Sequence, residues 1–327
     1  MTVAALAPSP HVVAGLDVGG TAMKGTVVGR DGTVLHTRVW RTPRELGPDA
    51  AVQAVLDAAA ELVALDPEIA AIGCVVPGAV NDLDGIAEWS ENIGWRDVPF
   101  RRLLEQRTGL PIGFGHDVRA GGLAERVAGA GQGESDVLFM PIGTGISGAM
   151  TVEGVTLTGR YVGEIGHLDV GSGRQCACGG VGCLETTSTG PSIARAYTER
   201  AGVHVDGARE VFDAADSGDA DAVAVLRIAT DAIAHALAQY VSLLDPHVVI
   251  IGGGLAEAQE RLLQPVRDAL ATLLTWQRMP RVVGAAFGGN AASLGACLLA
   301  REACAARPGD AEKSHAKETQ HGQHTHG

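Results

Sequence analysis

Three thiols and one imidazole lie within a single glycine-rich stretch: His167, Cys176, Cys178 and Cys183. Four such ligands complete a tetrahedral structural zinc site and leave no open position for a reactive water. Cys176 and Cys178 stand one residue apart, an awkward pair for a disulfide. Gly166, Gly171, Gly173, Gly179, Gly180 and Gly182 let the loop wrap an ion, and it has little apolar material to fold around without one. Zinc on one nitrogen of His167 would leave the other free to meet a ligand. Glu164 and Glu185 flank the cluster. Two carboxylates and an imidazole tip can bind several vicinal hydroxyls, as a sugar requires. On an acidic chain the same two residues also read as plain solvated acids.

A second kind of chemistry sits in glycine turns. Asp17-Val18-Gly19-Gly20-Thr21 follows an apolar run, with Lys24 shortly after. Paired glycines let a backbone approach a phosphate and aim N–H groups at it. An aspartate beside phosphate makes sense with Mg²⁺ between them; the competing reading is a hairpin turn with a local cap. Gly143-Thr144-Gly145 repeats the device in the second half, and Gly252-Gly253-Gly254 follows a third apolar run. None matches GxxxxGK[ST] or GxGxxG. Asp117 follows a strand and begins a helix, which suits both an N-cap and a general base. Spacing does not separate the two, and an N-cap position would keep the acid ionised, as a base requires.

The elements that must hold these residues read as a repeated α/β pattern. Residues 12–18 form a strand, and 25–29 and 33–40 two more joined across Asp31-Gly32. A helix starts at Pro48, a buried strand runs over 69–76, a short helix over 98–108, a strand over 110–115 and a helix over 118–128. The second half opens again with strands, at 136–142 and 146–152. Helices follow at 190–202, 207–216 and 219–244, then a strand at 247–251, a further helix, a strand at 281–286 and a helix at 291–304. Two halves that each begin with a hairpin and a glycine turn predict a duplicated unit with a cleft between. Ligands in such sheets bind at the carboxyl ends of strands, where these turns lie.

The 25 basic and 38 acidic residues leave a net charge of −13, against a broad nucleic-acid or anionic-membrane surface. No apolar stretch approaches the roughly 18 residues of a membrane span, and residues 1–10 do not read as a secretory signal. A cytoplasmic protein without membrane or nucleic-acid partners is expected. The polar segment 306–327, with its four histidines, reads as a disordered tail.

Together these motifs resemble the sugar kinases of the ROK family, within the hexokinase/actin-like ATPase superfamily, over about residues 12–304. The resemblance rests on DVGGTAMK (17–24), VPGAV (76–80), ENIGW (91–95), the aspartate of GHDVRAG, IGTGISG (142–148), GEIGH (163–167), CACGGVGCLE (176–185) and VVIIGGG (248–254). It implies an α/β fold, a duplicated ribonuclease-H-like (actin/hexokinase-type) two-domain architecture with an interdomain cleft. The domains would be 11–118 plus 290–305, and 119–289 with the zinc loop. By resemblance Asp117 is the base that takes the sugar hydroxyl's proton, and Asp17 the acid that organises Mg²⁺. Gly19, Gly20, Thr21, Lys24, Thr144 and Gly145 would surround the ATP phosphates, and Gly253 and Gly254 the adenosine. Gly78, Asn92, Glu164, His167 and Glu185 match sugar-contacting positions; Cys176, Cys178, Cys183 and His167 match zinc ligands.

The expected reaction is ATP-dependent phosphorylation of a hexose, glucose first and another hexose or an N-acetylhexosamine second, in a homo-oligomer (dimer or tetramer). Two departures stand beside the base. His116 replaces the family's usual Asn, which contacts sugar hydroxyls, and Arg119 replaces another Asn. The second phosphate turn is also poorer in glycine than usual. The family includes sugar-responsive repressors with an N-terminal helix-turn-helix, for which a first strand near residue 12 leaves no room. A sensor without turnover is opposed by the presence of Asp17 and Asp117.

Overall fold

A computed structural model describes residues 5–305; the expected disordered tail lies outside them. The chain opens with β1 (Val12–Val18), β2 (Ala22–Val28) and β3 (Val34–Arg41), then α1 (Pro48–Val63) and β4 (Ile69–Val76). Three short strands follow, β5 (Ala79–Asn81), β6 (Ile86–Trp89) and β7 (Arg96–Val98), then α2 (Phe100–Thr108), β8 (Ile112–His116) and α3 (Asp117–Ala128). The second half begins with β9 (Val137–Pro141), β10 (Ala149–Val152) and β11 (Val155–Thr156). After a long connection come α4 (Glu185–Ser188), α5 (Gly190–Ala201), α6 (Ala208–Asp216) and α7 (Ala220–Leu244). The chain then runs through β12 (Val248–Gly252), α8 (Glu260–Leu273), β13 (Arg281–Gly284) and α9 (Ala291–Ala305).

Two five-stranded sheets have matching order, β3-β2-β1-β4-β8 and β11-β10-β9-β12-β13. In each, the first three strands are antiparallel and the last two join in parallel. The predicted duplication is present. It makes the β1–β2 and β9–β10 turns topological equivalents, one holding Gly19 and Gly20, the other Gly143–Gly145. Strands β4 and β12 are buried almost throughout, as parallel strands covered on both faces must be. Helix α1 has proline in its first turn, and Asp219 caps α7 by accepting from the N–H of Asp221 and Ala222.

Two sequence readings shift. The strand expected over 146–152 begins at Ala149, because Ile146 only bridges back to Ile142 and its N–H turns aside to a carboxylate. The three-stranded sheet over 79–98 went unread, since strands this short carry no legible alternation.

Helix α9 returns from the end of the chain to cover the first sheet. Gly15, Gly73 and Gly113 lie side by side on β1, β4 and β8. A Cβ on them would stand 2.3, 1.7 and 2.3 Å from the carbonyl oxygens of Ser293, Ala296 and Leu299. The glycine row is a groove for the backbone of α9. Gly295 does the same toward α3, where an added Cβ would meet the Ala120 oxygen at 1.9 Å. Glu125 of α3 is fully buried and accepts from the backbone N–H groups of Ala130, Ala286 and Phe287. It ties α3 to the segment that leads into α9. No helix among the described residues is long and apolar enough to cross a membrane.

Candidate active site and metal centre

Asp17 is the penultimate residue of β1 and faces Lys24 across the β1–β2 register. The first turn closes by Gly19 N–H to the Ala22 carbonyl, and the Thr42 hydroxyl donates to the Gly19 oxygen at 2.7 Å. A Cβ on Gly20 would lie 3.6 Å from the Asn92 side chain, so the turn and the β6–β7 loop are neighbours. The Lys24 amine donates to the Gly289 carbonyl. Gly78 follows β4 with φ +97°, and a Cβ there would strike the Trp89 oxygen at 2.1 Å, so only glycine fits.

His116, not Asp117, caps α3; Asp117 is its first helical residue. Val118 N–H is shared between Asp117 Oδ1 at 2.7 Å and His116 Nδ1 at 3.2 Å. Burial, reinforced by the Arg119 charge, holds the His116 imidazole down at about 3, so it is neutral, with its proton on Nε2. Burial pushes the Asp117 carboxyl up to about 6, against the opposing Val118 N–H and Arg119. Desolvation thus outweighs the helix start and raises the carboxyl, which is still ionised at neutral pH. One quarter of the side chain stays exposed. Asp17 is pushed further, to about 7, by burial and then by the charge of Asp117, with Lys24 opposing.

Arg119 pairs with Asp82 through one guanidinium nitrogen, at 3.0 and 2.8 Å from the two carboxylate oxygens. The sequence marked Arg119 only as a departure. Asp82 went unnoticed, since nothing in spacing joins residues 82 and 119.

In the second half, Gly253 has φ +74° and its backbone packs on Ile142; a Cβ would meet the Ile142 oxygen at 2.4 Å. The second and third glycine turns are therefore in contact. They open into a cavity of about 700 Å³ lined by Thr144, Gly254, Phe212, Glu257 and Arg261. Glu185 begins α4, and its Oε1 accepts from Ile146 N–H at 2.6 Å. This links the cysteine loop to the Gly143–Gly145 turn. The charge of Glu164 reaches Tyr240 of α7, whose hydroxyl burial holds above its ordinary range; Tyr240 is a neighbour that sequence did not point to.

The ligand atoms of His167, Cys176, Cys178 and Cys183 lie within 4.8 Å of one another. Cys178 and Cys183 sulfurs are 3.7 Å apart, and Cys176 Sγ is 3.9 Å from His167 Nδ1. Zn–S bonds of about 2.3 Å in a tetrahedron require sulfurs about 3.8 Å apart, so the donor set fits zinc. Nδ1 faces the thiols, and Nε2 faces Glu164 Oε2 at 3.8 Å.

Paired sheets of one strand order and equivalent glycine turns, together with glucokinase relatives and a superposable glucokinase structure, make this an ATP-dependent sugar kinase of the actin/hexokinase-like fold. The chain matches the ROK family over residues 13–303 and belongs to it. A glucokinase from Thermotoga maritima is 32% identical over 287 residues, 83% of this chain and 89% of that one. An N-acetylmannosamine kinase from Escherichia coli is 32% identical over 257 residues, 76% and 86% of the two chains. Among solved structures, a ROK glucokinase from Streptomyces griseus in complex with glucose and AMPPNP superposes with a TM-score of 0.77 at 31% identity. That match covers 89% of this chain and 99% of the other.

Proposed function

We propose that this hexose kinase phosphorylates glucose at the 6-hydroxyl, with Asp117 as general base. The carrying observation is the Asp117 carboxyl itself. It is buried, partly open and raised to about 6, so it is ionised at neutral pH yet able to hold a proton. Asp117 accepts the hydroxyl proton as the sugar oxygen attacks the γ-phosphorus of ATP, ADP leaves, and the proton stays on Asp117 until product departs. His116 Nε2–H, Asn92, Glu164, Glu185 and the free His167 nitrogen orient the sugar, and Gly78 lets the chain approach it. The N–H groups of Gly20, Thr21, Thr144 and Gly145 meet the phosphates, Gly19 shapes the first turn by its bond to Ala22, and Gly253 and Gly254 border the adenosine. Asp17 would hold Mg²⁺ through its carboxylate, and the ion would neutralise phosphate charge during transfer. Zinc on His167, Cys176, Cys178 and Cys183 would be structural. The lobes would be 11–118 plus 290–305, which share the first sheet and its covering helix, and 119–289.

His116 favours a second reading, a kinase for another hexose or an N-acetylhexosamine. An imidazole with one donor offers a different pattern from the usual amide. A coupled assay with ATP over glucose, mannose, N-acetylglucosamine and N-acetylmannosamine decides between them by kcat/KM. Asp117→Asn should lower turnover by roughly 10²–10⁴ on every sugar that is used; near-normal turnover would unseat the base.

A further inference from the structure

A second cavity lies outside the nucleotide cleft and beside the sugar residues. It measures about 1260 Å³ and shares only His116 with the residues assigned above. Its walls are mainly apolar: Leu110, Ile112, Phe114, Leu123 and Leu299. At one end stands Arg126, in the last turn of α3. Among the described residues its guanidinium makes no hydrogen bond or ion pair, and its Nε is shut off from solvent. Glu302 also lines the cavity, and burial holds its carboxyl above the ordinary range, against the attraction of the Arg126 charge. A guanidinium stays charged under all ordinary conditions. A charged guanidinium whose terminal nitrogens have no protein partner gains a charge-assisted hydrogen bond when an anion meets them.

We propose that this cavity binds a small amphipathic anion, a carboxylate, sulfonate or phosphate ester on an apolar body. Arg126 takes the charged group, and the leucine and phenylalanine walls take the body. A bare inorganic ion would leave those walls in water and does not suit them. The far end of the cavity is formed by His116, Arg119 and Asp82, next to the base. Gly154, Thr156 and Thr158 bring the second sheet's hairpin to the rim, while β8 and α2 belong to the first half. An occupant therefore touches both halves and the cap of α3, and its binding is coupled to turnover.

The probe is 8-anilinonaphthalene-1-sulfonate, a sulfonate on an aromatic body. Its fluorescence is titrated against the full chain with excess ADP filling the nucleotide cleft. Saturable single-site binding is expected. Arg126→Leu should weaken it by roughly tenfold or more, the scale of one charge-assisted hydrogen bond. Leu123→Trp, which fills the cavity, should abolish it. Thermal unfolding checks that both variants are folded, and hexose turnover without the probe should stay at the wild-type level. Saturating probe should change hexose kcat/KM severalfold in the wild type and leave Leu123→Trp unaffected. Equal affinity in all three proteins would overturn the site, as would an equal effect on turnover in wild type and Leu123→Trp. Binding seen only after removal of residues 306–327 would assign the cavity to the chain's own tail and overturn it as well.

Discussion

Burial raises the carboxyls of both Asp17 and Asp117, and the Asp117 charge further opposes ionisation of Asp17. An unfolded aspartate titrates near 3.8, whereas these two titrate at about 7 and about 6. Between about pH 4 and pH 7 the folded chain holds protons that the unfolded chain releases. Stability is therefore complete below pH 4 and falls as pH rises through that window. Asp117→Asn removes one of the two buried charges. Without divalent cation it should be more stable than wild type at pH 8, by on the order of 1–3 kcal/mol, with the gain fading toward pH 4. Thermal unfolding at the two pH values measures this; a loss of stability at pH 8 would contradict the strained base. Activity carries the opposite sign: the proposed base Asp117 works only when ionised, so kcat/KM should fall below about pH 6. Arg119 holds that limb down. Arg119→Met should move it to higher pH by about half a unit or more, and Arg119→Lys should restore most of the shift. A uniform drop in rate with an unmoved limb would make Arg119 merely structural.

At the scale of elements, the cysteine loop positions more than its own ligands. It carries Glu185, which reaches the Ile146 N–H, and His167, whose free nitrogen faces Glu164. Loss of the proposed zinc should loosen the proposed sugar and phosphate residues together. Cys178→Ser should bring bound zinc from one per chain to almost none and raise KM for sugar, read by metal analysis and by kinetics. Wild-type protein that is fully active and free of zinc would remove the site.

At the scale of the whole molecule, the last helix completes the first sheet. Gly73→Ala would drive a methyl to 1.7 Å from the Ala296 oxygen, where both partners are backbone. Neither can swing aside, so α9 must lift from β1, β4 and β8. Overpacking of this kind costs about 3 kcal/mol or more, a midpoint lowered by at least about 5 °C. Differential scanning calorimetry tests it, and an unchanged midpoint would mean that α9 does not seat in the glycine row.

The repeated hairpin and glycine turn, the Cys3His donor set and the acid at the head of α3 were legible in the residues. Each rests on local chemistry: a glycine's freedom, a thiolate's affinity, a strand's unbroken apolar run. The family resemblance then ordered them into one site. Other features depended on contacts between distant parts of the chain. Arg119 reads as an anomaly until Asp82 stands beside it. Gly15, Gly73 and Gly113 read as weak points in three strands until their register forms one groove for a helix that begins at residue 291. The protonation of Asp117 was also decided by the tertiary structure. A helix start favours the charged form, but burial among side chains from elsewhere in the sequence raises its pKa, and local spacing carries no record of that desolvation.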